Sequence, residues 1–257
     1  MRPLRCTVNW QEGIMTNSVL KSKPDYGFDG SPFGVTIVCL AGVVCFGGGV
    51  ALITFPSLSL KIAAFVLMLC GLLMVLVCGS YLYYTKLGKL HRRDKMISMI
   101  DWKGNEKVID IGTGRGLLMI GAAKKLTLGK SIGIDIWNSE DMHGNTYQNT
   151  MRNAELEGVL EKVEVRNEDV RSMSFPNDTF DVVLSNLCIH NIPTKDGRDK
   201  ACREIARVLK PNGIVIITDK SHTKKYGEIF AMEGLSVEFF RPSFDGSLRG
   251  IVKAVKK

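Results

Sequence analysis

Three short, apolar, β-branched runs in this chain end in carboxylates or glycines. Val108-Ile-Asp-Ile-Gly-Thr-Gly-Arg-Gly116 closes the first such run with glycines at 112, 114 and 116. Glycines there permit a tight turn and bring bare backbone N–H groups close to a ligand at a helix N-terminus. A dinucleotide fingerprint would need its third glycine at 117, where the chain has Leu, and the turn closes on Gly116-Leu-Leu118 in place of the Gly-Lys-Ser/Thr that a P-loop requires. Asp110, just ahead of the turn, would repel a pyrophosphate. It suits a ligand carrying positive charge, a sulfonium or an ammonium. Gly133-Ile-Asp-Ile-Trp137 sets Asp135 at the end of the second run, about twenty residues on, where an acceptor can take both ribose hydroxyls. Ile136 and Trp137 follow it, and the indole can lie against a flat base. Asn167-Glu-Asp-Val170 ends the third run, and Asp169 beside Val170 can accept from an exocyclic amine. Each acid alone reads as a solvated loop residue. Taken together, at successive strand ends, they describe a pocket for a cationic adenosine derivative. Past the fourth run lies Leu187-Cys-Ile-His-Asn-Ile192, whose His190 can orient or deprotonate a reacting group. Its structural alternative is a loop histidine that packs or caps a helix.

Such residues need a scaffold that brings strand ends together, and the pattern of the chain supplies one. Strands are predicted over Lys107–Ile111, Ser131–Ile136, Lys162–Arg166 and Phe180–Ser185. Further strands follow over Ile214–Thr218, Leu235–Arg241 and Gly250–Val255. Helical periodicity falls between them, over Leu117–Leu126, Asn145–Gly158, Lys200–Leu209 and near Lys224–Glu233. Apolar strands alternating with helices argue a parallel sheet covered on both faces, with ligands beyond the carboxyl ends. The last two strands, joined by the turn Phe244–Ser247, are expected to be antiparallel.

These motifs resemble those of class I S-adenosylmethionine-dependent methyltransferases. Val-Ile-Asp-Ile-Gly-Thr-Gly-Arg-Gly is similar to the family's first motif, Gly-Ile-Asp-Ile-Trp to its acidic second-strand motif, and Asn-Glu-Asp-Val to its adenine-contacting loop. Phe180-Asp-Val-Val-Leu-Ser-Asn186 resembles the fourth-strand motif and Leu209-Lys-Pro-Asn-Gly213 the turn into the fifth strand. The resemblance covers about residues 105–257. It implies an α/β doubly wound seven-strand sheet of order 3-2-1-4-5-7-6 with strand seven antiparallel, and S-adenosyl-L-methionine as cofactor. By position, Gly112, Thr113, Gly114 and Gly116 would line the methionine half, with Asp110 near its ammonium group. Asp135 and Ile136 would meet the ribose, Trp137, Asp169 and Val170 the adenine, and Asn186 the methionine and its methyl. The segment around His190 is similar to methyltransferases acting on small molecules, quinone-biosynthesis types among them. The Asn-Pro-Pro-Tyr of base-amino enzymes and the Pro-Cys of cytosine-C5 enzymes are missing.

The rest of the chain is of a different character. A mean hydropathy of +0.07 is high for 257 residues carrying 34 Lys+Arg and 26 Asp+Glu. Between Gly34 and Thr85 only Lys61 is charged, and the runs Gly34–Phe55 and Ile62–Tyr84 are each long enough to cross a hydrocarbon core of ~30 Å. The pattern divides the chain into an N-terminal segment (1–33), a two-helix transmembrane hairpin (34–84), a basic amphipathic juxtamembrane linker (85–104) and the methyltransferase domain (105–257). The first run starts too late and runs too long for a signal peptide. Arg2, Arg5, Lys21 and Lys23 precede the hairpin and Lys86, Lys89, Arg92, Arg93 and Lys95 follow it, which places both termini and the domain on the cytoplasmic side of a two-pass membrane protein. Small residues at Ala41, Cys45 and Gly49, and at Gly71 and Gly79, would let the helices approach. The basic stretch, interleaved with Leu87, Leu90, Met96, Ile97, Met99 and Ile100, is expected to lie at the headgroups as an amphipathic helix. That makes nucleic acid a poor candidate partner. Cysteine and histidine spacing gives neither a disulfide framework nor a metal site. The expected acceptor is a small, hydrophobic or lipid-like molecule at the membrane. Methylation of a protein or nucleic acid, or cofactor binding without catalysis, are the alternatives. No feature of the sequence fixes an oligomeric state.

Overall fold

A computed structural model describes residues 23–28, 32–138, 144–242 and 249–257. Two apolar helices come first, α1 (Pro32–Leu52) and α2 (Leu58–Tyr83). Both are long and apolar enough to cross a membrane, and large side chains such as Phe33, Val44, Phe65 and Val77 stand exposed on their outer faces. They pack as a hairpin through glycine. A Cβ on Gly71 would lie 2.5 Å from the Gly42 carbonyl oxygen and 2.6 Å from the Phe46 nitrogen, and one on Gly49 would lie 2.6 Å from the Ala64 oxygen. The seam therefore uses Gly49 and Gly71 as expected, completed by Gly42 and Ala64. Gly79 faces open space, and Ala41 and Cys45 are half-buried beside the seam.

The second helix does not stop where its apolar run ends. A π-helical turn, Tyr84–Gly88, carries it into α3 (Lys89–Ser98), so one rod runs from Leu58 to Ser98. This corrects the expected headgroup-facing helix. Met96 and Ile97 of α3, with Ile100 beyond its end, pack against Val108, Leu118, Val182 and Ile216 of the following domain. Burial of such side chains contributes on the order of 1.5–3 kcal/mol each. Two of the basic residues also turn inward. Arg92 is 1% exposed and donates to Thr218 Oγ1 (2.8 Å) and the Arg249 carbonyl (3.0 Å). Lys89 is buried and donates to the carbonyls of Tyr26 and Gly27.

The sheet comprises β1 (Lys107–Ile111), β2 (Lys130–Asp135), β3 (Val163–Asn167), β4 (Phe180–Asn186), β5 (Leu209–Thr218), β6 (Leu235–Phe240) and β7 (Ile251–Lys256). Its order is 3-2-1-4-5-7-6, parallel throughout except for β7, which is antiparallel to both neighbours. The fold class and strand order expected from the motifs are thus borne out. Alternate residues of each strand serve the two faces. Ile109, Ile111 and Val183 meet α6 (Lys195–Val208) and α7 (Thr223–Met232) on one side. Val108, Val182 and Leu184 meet α3 and α4 (Leu117–Ala123) on the other, with α5 (Tyr147–Leu156) beside them.

Boundaries moved where periodicity was weak. Helix α6 begins at Lys195, capped by Thr194 accepting from Gly197 N, ahead of the Lys200 expected, because its first turn is polar and contains a glycine. Helix α4 stops at Ala123, short of Leu126. The turn expected at Pro211-Asn-Gly213 is an irregularity inside β5: Leu209 pairs with Phe180 and Ile214 with Val182. The turn at Phe244–Ser247 lies outside the described residues, as do Arg2, Arg5 and Lys21.

Candidate active site

The glycine turn is held from two sides by the acids that flank it. Gly112 N and Thr113 N donate to the Ile134 carbonyl at 2.9 and 3.0 Å, tying the turn to β2. Asp110 accepts from Thr113 Oγ1 and from Met119 N, both at 2.9 Å, so one carboxylate oxygen closes the turn and caps the first turn of α4. Asp135 accepts from Gly114 N (2.8 Å), Trp137 N (2.8 Å) and, at 3.3 Å, Asn145 Nδ2. The left-handed backbone at Gly112 (φ 68°) brings it against Cys188, where a Cβ would sit 2.3 Å from Sγ. That position admits nothing larger than glycine.

Burial pushes the Asp110 carboxyl up to about 7, with the charge of Asp135 adding to the rise against the hydrogen bonds from Thr113 and Met119. A carboxyl whose folded pKa lies above its unfolded value favours the fold only while protonated, and the benefit is lost as pH rises through the folded value. The ligand-free protein should therefore melt at a lower temperature at pH 8 than at pH 5.5, with Asp110→Asn flattening that slope. Thermal unfolding across this range checks it, and an identical slope in the variant would contradict it.

Beyond the strand ends the chain encloses a cleft of about 760 Å³. Asp110, Gly112, Thr113 and Gly114 form its floor; Asp135, Ile136, Asp169, Val170, Asn186 and His190 line its sides. Two expected residues lie elsewhere. Gly116 is the N-cap of α4 behind the turn, packed on Ile120 and Thr150. Trp137 adopts a left-handed backbone (φ 56°), and its ring meets the edge of Tyr147 at 6.4 Å outside the cleft lining. The Asp169 carboxylate is paired with Arg171 Nη2 at 2.5 Å, which holds it below the usual carboxylate range. Asn186 Oδ1 is buried without a hydrogen-bond partner among the described residues. A buried acceptor left unmatched is costly, and here it faces a cleft.

His190 sits on a short 3₁₀ turn, Ile189–Asn191, at the mouth of β4. Its Nδ1 lies 2.5 Å from Asp219 Oδ1, a close polar contact whose geometry is not that of a straight hydrogen bond. The His190 backbone N donates to Asp219 Oδ2 at 2.9 Å, and Tyr226 OH donates to the same oxygen at 3.2 Å. Burial and the Asp219 charge push the Tyr226 phenol well up, keeping it a donor. Asp219 is buried at the residue after β5. Neither Asp219 nor Tyr226 was singled out in the sequence, although Asp219 obeys the same strand-end rule as the other acids.

Two further contributions come from outside the sheet. Residues 23–28 cross the domain: Asp25 pairs with Arg115 Nη1 at 2.5 Å, Asp25 N donates to Asn153, and Tyr26 OH donates to Glu157 at 2.9 Å. Tyr26, together with Tyr81 of α2 and Tyr84 of the π turn, closes one wall of the cleft.

A doubly wound sheet of this order, with a glycine turn after β1 and acids after β1, β2 and β3, defines the class I S-adenosylmethionine-dependent methyltransferase fold. Residues 109–217 match the family model described as a methyltransferase domain. Among curated proteins it is similar to a ubiquinone/menaquinone biosynthesis C-methyltransferase of Vibrio vulnificus, 31% identical over 52% of this chain and 49% of the relative. It is also similar to a demethylmenaquinone methyltransferase of Bacteroides fragilis, 31% identical over 49% of this chain and 48% of the relative. The chain spans about half the length of the curated relatives it matches. In fold it is similar to a SAM-dependent methyltransferase from Aquifex aeolicus, with a TM-score of 0.53 at 20% identity over 66% of this chain and 92% of that one.

Proposed function

We propose that this protein is a membrane-anchored methyltransferase that uses S-adenosylmethionine to methylate a small, hydrophobic or lipid-like acceptor. One observation carries the reading: the cleft lined by the strand-end residues is also lined by Tyr81 and Tyr84, on the rod continuous with the apolar hairpin. An acceptor dissolved in the bilayer thus reaches the cleft along the helix that anchors the domain. Two of the curated relatives are named as methyltransferases of ubiquinone/menaquinone biosynthesis and of demethylmenaquinone, which supports an acceptor of that kind.

The residues present fit the cofactor. Asp135 keeps lone-pair capacity for ribose hydroxyls after its backbone bonds. Asn186 Oδ1 is an acceptor awaiting a donor, and an ammonium group supplies one. Asp110 brings negative charge beneath the turn, and a cation nearby offsets its burial. When bound, the cofactor supplies an electrophilic methyl group. The chain's own contribution is placement of the acceptor in line with it, together with removal of the acceptor's proton where one must leave. His190 is the base for that proton, and Asp219 stabilises the imidazolium that results.

Both flanks of the hairpin are seated on the domain, residues 23–28 through Asn153 and Glu157 and α3 through the sheet. That arrangement supports one side of the membrane for both, and the basic residues around the hairpin favour the cytoplasmic side. Incubating membranes that contain the full chain with methyl-labelled cofactor, followed by extraction, tests the reading. Label is expected in an organic-soluble small molecule. Label recovered only in protein or RNA, or none in any fraction despite cofactor binding, would overturn it.

A further inference from the structure

The acceptor half of the cleft has a charge of its own. The cleft's acids, Asp110, Asp135, Glu168 and Asp169, all stand at or just beyond the ends of β1, β2 and β3. Past β4 the charged side chains lining it are Lys220 after β5, Arg249 before β7 and Lys89 from the rod, with His190 among them. Lys89 is already committed to the Tyr26 and Gly27 carbonyls. Arg249 is different. Its guanidinium lies over the Tyr84 ring, 4.9 Å from the centroid, and its Nη1 is buried with no hydrogen-bond partner among the described residues. Its backbone is fixed, since its carbonyl accepts from Arg92 of α3. A buried guanidinium N–H without an acceptor is costly, and guanidinium geometry matches carboxylate or phosphate oxygens in pairs. Beside it, Tyr81 and Tyr84 offer aromatic wall where the rod passes from apolar to polar sequence.

Resting on the methyltransferase reading above, we infer that the acceptor is an amphiphile with an oxyanionic head, carboxylate or phosphate, held by Arg249 while its apolar chain lies along Tyr81 and Tyr84. The stacking on Tyr84 fixes the plane of the guanidinium and leaves an edge for the head. A cationic or zwitterionic head presenting its ammonium would meet like charge there.

The test uses the full chain in phosphatidylcholine nanodiscs, with empty discs as the blank. A pyrene-labelled fatty acid and its methyl ester are titrated, and cofactor binding is measured on the same samples. The wild type should bind the acid at least about tenfold more tightly than the ester, the weight of one charge-assisted hydrogen bond. Arg249→Gln should abolish that preference while leaving ester and cofactor binding unchanged, and Arg249→Lys should retain part of it. Displacement of the probe by oleate or by lysophosphatidate, whichever is stronger, identifies a carboxylate or a phosphate head. Equal binding of acid and ester by the wild type would overturn the inference. So would a preference that survives Arg249→Gln, or displacement by inorganic phosphate or an RNA oligonucleotide as effective as by the amphiphiles. Loss of cofactor binding in the wild type would instead strike the methyltransferase reading and leave the Arg249 comparison readable.

Discussion

Replacing Asp135 by alanine should weaken S-adenosylmethionine binding by about a hundredfold or more, because two short charge-assisted hydrogen bonds of about 1.5–3 kcal/mol each disappear together. The carboxylate does two things at once. It accepts from Gly114 N and Trp137 N at 2.8 Å, so it holds the glycine turn in the shape that meets the ligand. It also presents its remaining lone pairs at the end of β2, at the position proposed above for the ribose. Removing it leaves the turn's N–H groups to solvent and its glycines, with φ of 68° and 52° at Gly112 and Gly114, free to relax. The fold should survive, since Asp135 is only half-buried and the sheet beneath it is apolar. Equilibrium dialysis with labelled cofactor, alongside far-UV circular dichroism, gives the measurement. Affinity within a few-fold of wild type would show that the ribose is held elsewhere.

The second large effect belongs to Asp219. Asp219→Asn keeps the shape of the side chain but removes the charge 2.5 Å from His190 Nδ1. If His190 takes a proton from the acceptor, the imidazolium loses its counter-ion, and kcat should fall by about a hundredfold, the lower range of general-base contributions. Cofactor affinity and the KM for acceptor should stay near wild type, because Asp219 is buried behind His190 and does not line the cleft. His190→Ala should cost a similar amount, and the double variant little more than either alone, as expected of groups acting as one unit. Tyr226→Phe separates support from charge. It deletes the 3.2 Å bond to Asp219 Oδ2 yet leaves the carboxylate, and should lower kcat only slightly. A loss confined to KM, or unchanged turnover in Asp219→Asn, would remove His190 from the chemistry.

The strand-end residues were legible because a parallel sheet imposes a simple rule. Its strands are largely apolar, so polar residues at or just past their carboxyl ends mark the edge where ligands bind. Asp110, Asp135, Asp169 and Asn186 lie there, and ten of the expected site residues line the cleft. Trp137 failed for a local reason: its left-handed backbone sends the ring toward Tyr147, a conformation rare for an aromatic residue and without a sequence signal. Arg92 and Lys89 failed for a tertiary one. A basic amphipathic helix reads the same whether its apolar face meets lipid or protein. Only the sheet, with Val108 and Val182 on the waiting face, decides between them. Residues 23–28 carry no periodicity at all. Their place depends on Asn153, Glu157 and Arg115, far along the chain.

The unbroken rod from Leu58 to Ser98 makes the angle between hairpin and domain a matter of helical phase. Adding or deleting one residue between Tyr84 and Gly88 would turn one part against the other by about 100° and shift it by about 1.5 Å. Tyr81 would then leave the cleft wall, even though every residue of the domain were intact. A flexible tether would absorb such a change as slack. Here length in that segment behaves as a dial with few stops, near four residues or near seven, where the helix returns to within about 40° of its starting face. The hairpin and the cleft are therefore locked in one rotational phase, so the length of that segment alone sets which way the cleft faces.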